Sequence, residues 1–352
     1  MRDFRFSLIV GGLLLAIIFM ARPSEASECA LSIWVEPYEC NAESDNVVGT
    51  FFTPESFDDS LLGRRLYARL ADNANVYPEP SWSVAPVRNV GDGFLYATVS
   101  SWNEINGETW YQINHREYVH EDDIQPVDVS GFQGVSVRRQ PERPFGWVVQ
   151  DVQPSRQPDG EPGTFFSELP RYSFFEVFDA VKGQNDWIWY DTGNGRWIKQ
   201  TYASIVDVSP RPDQVGPDEY WTEVDLYEQT FAAYEGDRMV YATLISSGLN
   251  RWPTREGIFQ VWERFNEYKM SGAEGKTDYY FLEDVPYIMY FDQLNSIALH
   301  GTYWHDRYGY KHSHGCVNMP ILDAEWVFNW SADAPNDLWV WVHTSDPNEY
   351  FS

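Results

Sequence analysis

An internal repeat sets the architecture open to this sequence. Between Leu61 and Pro212, Trp110-Tyr111 recurs at Trp189-Tyr190, Tyr118-Val119 at Trp197-Ile198, and Val127-Asp128-Val129-Ser130 at Val206-Asp207-Val208-Ser209, always 79 residues on. A constant offset over three separated matches marks two copies of one module. Each copy carries short β-rich runs, such as residues 93–99 and 174–178, cut by Gly, Pro, Asn and Asp turns. The pattern predicts two small β-barrels.

The chain has 352 residues, 43% hydrophobic and 17% aromatic, enough for two or three domains with real cores. Residues 1–26 read as a signal peptide. Arg2 and Arg5 give a basic start, Ser7 to Met20 is an apolar run of fourteen, and Ser24-Glu25-Ala26 offers small residues for cleavage. The run falls short of the roughly 20 residues that span a bilayer, so secretion is favoured over a permanent anchor. Glu28 before Cys29 argues against a lipid anchor. In residues 27–60, Cys29 and Cys40 either close a small loop in an oxidising compartment or stay as free thiols. A net charge of −28 argues against nucleic acid or an anionic membrane as partner.

The modules are placed at 61–130 and 131–209. A Pro/Gly-dense run at 210–218 reads as a semi-rigid linker. Residues 219–345 then form the last domain. Residues 223–233 and 238–245 read as two strands around the turn Tyr234-Glu235-Gly236-Asp237, and further strands are expected at 257–262, 287–291, 296–299 and 339–342. A helix is expected after Pro320, with Ile321, Leu322, Glu325, Trp326 and Asn329 at helical spacing. The domain is mainly β, a sandwich.

Chemistry is concentrated in Leu299 to Met319, LHGTYWHDRYGYKHSHGCVNM, which holds four of the seven histidines and one of the three cysteines. A cysteine acts as a nucleophile only as its thiolate, and a histidine within hydrogen-bond reach is the usual base. His300, at the end of the apolar run 296–299, and His314, two residues before Cys316, are the two candidates. Gly315 lets the backbone approach a substrate closely. No Arg or Lys follows Lys311, so oxyanion donors are expected from backbone N–H groups around Gly315 and Cys316. His300, His305, His312, His314 and Cys316 could together offer zinc ligands, but their spacing has no regular zinc pattern, and no metal or cofactor is expected. Trp304 is a candidate groove residue, whereas Tyr287, Met289 and Tyr290 read first as buried strand residues. His115, His120 and His343 read as surface or packing residues.

His300-Gly301, a spacer, then Ser313-His314-Gly315-Cys316 with Asn318 resembles the catalytic motif of the YkuD-type L,D-transpeptidases. The resemblance extends through Val224-Asp225-Leu226, residues 233–237, Ser247-Gly248, Pro253-Thr254, Gly257 and Asp323-Ala324, covering residues 219–343. It implies a cysteine acyltransferase of peptidoglycan. The thiolate attacks the carbonyl of the third stem-peptide residue, releases the terminal D-alanine, and passes the acyl group to an amine of a neighbouring stem. It further implies Cys316 as nucleophile, His300 as general base and acid ordered by a carbonyl near Gly301, and Ser313, His314, Gly315 and Asn318 around oxyanion and substrate. The chain departs from the family at Asn318, where many relatives carry arginine, and in the run from Arg251 to Gly257. The repeated modules resemble bacterial SH3-like domains, which often attach to cell walls. The resulting expectation is an extracytoplasmic, wall-associated enzyme acting on stem peptides, with wall glycan or protein as partners of the modules and the export signal as its only membrane contact. Two other readings stand beside it: a carboxypeptidase or cysteine peptidase that resolves the thioester with water, and a non-catalytic wall-binding protein. Papain-like enzymes place cysteine before histidine, and sortases use an arginine after the cysteine, so both resemble this chain less.

Overall fold

A computed structural model describes residues 51–54, 60 and 62–346. The targeting run at 1–26, Cys29 and Cys40 lie outside the described residues. Among the described residues no helix is long and apolar enough to cross a membrane.

The 79-residue repeat is a repeat of structure. In the first copy, Leu66–Leu70 lies between Phe94–Val99 and Ile124–Pro126, beside a meander of Ser101–Ile105, Glu108–Asn114 and Glu117–His120. In the second, Phe145–Val148 lies between Phe174–Glu176 and Ala203–Val206, beside Asp179–Lys182, Ile188–Asp191 and Trp197–Lys199. The meanders keep one register: Tyr111 pairs with Val119, and Tyr190 with Ile198. Val119 and Ile198 are both buried, so the matched aliphatic position fills the same place in each core.

The last region is built on two seven-stranded sheets. The first runs Phe52–Pro54, Val135–Val137, Arg238–Leu244, Thr230–Glu235, Tyr220–Asp225, Trp339–His343, Gly257–Gln260. The second runs Val317–Met319, Ile297–Gly301, Tyr280–Asp292, Phe94–Val99, Leu66–Leu70, Ile124–Pro126, with Glu263–Gly272 also on Tyr280–Asp292. Val224, Phe231 and Tyr241 from the first sheet meet Met289, Leu299 and Val317 from the second, together with Ala324 and Val327 of the helix α1 (Ile321–Trp330). This is the sandwich core. Arg238–Leu244 is buried on both faces and therefore reads as a continuous apolar run rather than an alternating one.

One expected element comes out differently, and one strand was not expected. The run 223–233 is not one strand but Tyr220–Asp225 and Thr230–Glu235, because Asp225 Oδ1 accepts the N–H groups of Tyr227 and Glu228 and so closes a turn. Glu263–Gly272 was not expected, since its charged, mostly exposed residues are those of an edge strand, which hydrophobic periodicity does not mark.

The modules are built into the sandwich rather than strung before it. Tyr280, Phe281 and Leu282 pair in parallel with Phe94, Leu95 and Tyr96, so the first module continues the second sheet. Tyr67 stacks on Tyr303 at 3.6 Å, and Arg65 grips Glu267 through two nitrogens. The second module covers the outer face of the first sheet, where Phe145, Trp147 and Val206 pack with Trp221, Tyr234 and Leu244. Residues expected at the head of that module belong elsewhere: Val135 pairs with Ala242, and the Gly134 N–H donates to Asp323 at 3.0 Å. The presumed spacer at 210–218 is fastened down, with Arg211 paired to Asp237 and Val215 buried.

This continuity predicts that Tyr67→Ala, which removes a buried ring from the seam, costs about 3–5 kcal/mol. In denaturant titrations followed by both far-UV CD and tryptophan fluorescence, first module and sandwich should unfold in one shifted transition. A separate early transition of the module, with the sandwich unmoved, would contradict the continuity.

Candidate active site

The strands Ile297–Gly301 and Val317–Met319 lie parallel, with His300 opposite Asn318. Side chains alternate along a strand, so His300, Ala298, Asn318 and, one step before its strand, Cys316 share one sheet face. Leu299, Val317 and Met319 point the other way into the sandwich core. The same-face residues Ala298 and Cys316 lie instead with Tyr303, Trp304 and Tyr290.

His300 is only 2% exposed, and its Nδ1 lies 3.0 Å from the Gly301 carbonyl oxygen. A carbonyl only accepts, so the proton sits on Nδ1 and the Nε2 lone pair is left bare. Burial pulls the imidazole down to about 4, against the opposing pull of the Gly301 hydrogen bond. The ring is therefore neutral at pH 7. Cys316 is half-buried, with Sγ 4.0 Å from the Ser296 carbonyl oxygen. Its surroundings push the thiol up to about 11, while a backbone hydrogen bond from Ala298 acts in the other direction. Resting thiol and resting imidazole are both uncharged, which suits proton transfer during attack rather than a standing ion pair.

The turn before Cys316 is held from several sides. Gly315 has φ +122°, a conformation that side-chain-bearing residues rarely adopt. Ser313 is buried; its hydroxyl donates to the Cys316 carbonyl and accepts the Gly315 N–H at 3.1 Å. That engagement occupies the Gly315 N–H, one of the backbone groups expected around an oxyanion, and makes Ser313 a brace of the turn. Thr254 accepts from Gly248 N–H at 2.9 Å and donates to the Gly315 carbonyl at 2.7 Å. A Cβ on Gly248 would collide with the Trp252 carbonyl oxygen and lie 3.0 Å from Gly315 Cα, so the packing of the backbone around it requires glycine there.

Asn318 is buried and lies 2.8 Å from His305 Nε2. The Arg307 N–H donates to His305 Nδ1 at 3.1 Å, while the Asn318 amide nitrogen Nδ2 faces Nε2 on the other side of the ring. Burial holds His305 well below the usual histidine range, with His312 and His300 adding to the effect. Asn318 thus contacts His305 while its backbone pairs with that of His300. His314 is exposed and stacks on Trp252 at 3.8 Å, with the Tyr280 ring 5.3 Å away. Burial raises both Tyr280 and Tyr290 above the usual tyrosine value, and a thiolate on Cys316 would add to the shift of each. Trp304 lies 5.6 Å from the His300 ring. Tyr280 and Trp252 were not singled out from sequence; Trp252 stands inside the altered run from Arg251 to Gly257, the one signal that could have marked it.

A neutral resting pair predicts how Cys316 reacts with iodoacetamide. Its alkylation rate should climb close to tenfold per pH unit from about pH 7 to 9, following the thiolate fraction. A rate that is flat across neutral pH would show a preformed thiolate instead.

Comparison with known proteins identifies what the chain is similar to. The family "YkuD: L,D-transpeptidase catalytic domain" matches residues 219–342. The Bacillus subtilis (strain 168) protein "Putative L,D-transpeptidase YciB" is 31% identical over 145 residues, covering 38% of this chain and 68% of that protein. A crystal structure of an Enterococcus faecium L,D-transpeptidase mutant is 27% identical, with a TM-score of 0.32, and covers 36% of this chain. The chain spans 50% of that protein's resolved length. An NMR structure of the Enterococcus faecium catalytic domain is also 27% identical, with a TM-score of 0.31, over 36% of this chain and 98% of that domain. With its buried imidazole and half-buried thiol on one sheet face inside the matched region, the chain belongs to the L,D-transpeptidase family.

Proposed function

We propose that the protein is an exported L,D-transpeptidase in which Cys316 is acylated by a peptidoglycan stem peptide and an amine of a second stem releases the acyl group. One observation carries this reading: the parallel pairing of Ile297–Gly301 with Val317–Met319 gives Cys316 and the bare Nε2 of His300 a common face. Family membership supplies the substrate class.

In the first half-reaction His300 Nε2 takes the thiol proton as Sγ bonds to the carbonyl carbon of the third stem residue. Burial makes the thiol a poor acid and the imidazole a poor base, so the proton moves only as the S–C bond forms. The tetrahedral oxyanion collapses, the C–N bond breaks, and the proton on His300 passes to the departing amine of D-alanine. The second half-reaction reverses the roles. An amine attacks the thioester, His300 takes its proton, and the thiol is restored. The nearby tyrosines, Tyr280 and Tyr290, line the approach to the sulfur.

The basic and apolar run of residues 1–26 supports export, which would bring the enzyme to its polymer. The modules are proposed as SH3-like and as carriers of wall contacts. Their exposed aromatics, Trp82, Trp102, Trp187 and Phe165, support such a role.

Intact-mass spectrometry of the chain with a tetrapeptide stem tests the reading. The wild type should gain the mass of the stem less D-alanine, and an added amine should discharge it into a cross-linked product. Cys316→Ala should show no adduct, and His300→Gln should slow adduct formation by at least about 100-fold. An adduct on Cys316→Ala would exclude the assigned nucleophile. Discharge to free acid in the presence of amine would make the enzyme a carboxypeptidase.

A further inference from the structure

The altered run from Arg251 to Gly257 forms a wall of the site. Trp252 lies on the exposed His314 ring at 3.8 Å, and the Arg251 guanidinium carbon sits 3.8 Å from the Trp252 ring centroid. Guanidinium, indole and imidazole thus make one stack ending two residues from Cys316, with Tyr280 on its flank. Stacking on an aromatic face holds an arginine in place while leaving its N–H edge free for a planar anion.

Two other arginines of this domain are spent elsewhere. Arg255 gives two nitrogens to Asp292, each at 2.8 Å, and Arg264 donates to Ser331. Arg251 is exposed and, among the described residues, forms no ion pair. Partial desolvation and Arg251 hold His314 below its ordinary value, against the opposing pull of Asp278. The Arg251 charge matters in a chain of net charge −28, whose field repels anions unless a local cation offsets it.

We infer that Arg251, held on the Trp252–His314 stack, is the subsite that binds a carboxylate of the acyl-donor peptide. The inference rests on the proposed role of Cys316 and names what the site recognises beyond the scissile bond. A donor ending in D-alanine carries a carboxylate on its leaving residue, and a side-chain carboxylate is the other source; a guanidinium pairs with either through two N–H bonds.

The test uses the full chain as wild type, Arg251→Ala, Arg251→Lys and, as a charge control away from the site, Arg138→Ala. Calorimetry measures the Kd of a tetrapeptide stem and of two analogues, one amidated at the terminal carboxylate and one at the side-chain carboxylate. Intact-mass kinetics follow acylation by the same peptides. Arg251→Ala should weaken binding of the acid peptide about three- to fivefold, with its salt dependence reduced, while acylation at saturation changes less than about twofold. Arg251→Lys should recover part of the loss, and Arg138→Ala should match the wild type. The analogue whose binding no longer responds to Arg251→Ala identifies the carboxylate. Unchanged binding of every peptide by Arg251→Ala would overturn the inference. Arg251-dependent binding without acylation of the wild type would leave the subsite standing and remove the transpeptidase reading.

Discussion

Everything at the site depends on a parallel pairing of two short strands. Ile297–Gly301 and Val317–Met319 run in the same direction, which requires a long crossover, here residues 302–316. Register then does the rest. With His300 opposite Asn318, alternation sends His300 and Cys316 to one face and Leu299, Val317 and Met319 into the core. A slip of one residue would turn Cys316 into the sandwich and leave the imidazole without a thiol. The far edge of Val317–Met319 is held by two backbone hydrogen bonds between Ser246 and Asn318, both 2.9 Å.

Burial sets the electrostatics of that face. It lowers the imidazole and raises the thiol, so each is neutral at rest. The same logic recurs where the modules join the sandwich. Asp323 is fully buried and pushed up to about 7, yet it accepts from Gly134, Tyr241 and Thr243. Glu228, pushed up to about 8 by burial, accepts the Ile205 N–H of the second module at 2.8 Å. Buried carboxyls satisfied by backbone and hydroxyl donors fix geometry that apolar contacts alone leave adjustable. The modules are thereby made part of the walls around the site: the first reaches it through Tyr67, Tyr303 and the strand carrying Tyr280.

Much of this was legible in the chain. The 79-residue offset foretold two copies with one strand order, and the spacing after Pro320 foretold α1, because repeat and periodicity are local properties. The crowding of His300 and Cys316 into one stretch pointed to the two strands that the fold pairs. Other features depend on contacts between distant segments. The first module's strand pairs with Tyr280–Leu282, Val135–Val137 crosses into the first sheet, and the run 210–218 is pinned by Asp237. None of these leaves a periodic trace. The Gly315 N–H illustrates the same limit on a smaller scale, since only the fold shows that Ser313 already occupies it.

The central claim is that the Gly301 carbonyl fixes the tautomer of His300 so that its bare nitrogen serves Cys316. Long-range proton–nitrogen NMR on the histidine-labelled full chain, with His300→Gln used to assign its ring signals, reads this directly. At pH 7 the ring should show a protonated Nδ1 and an unprotonated Nε2. An imidazolium, or a proton on Nε2, would contradict the account.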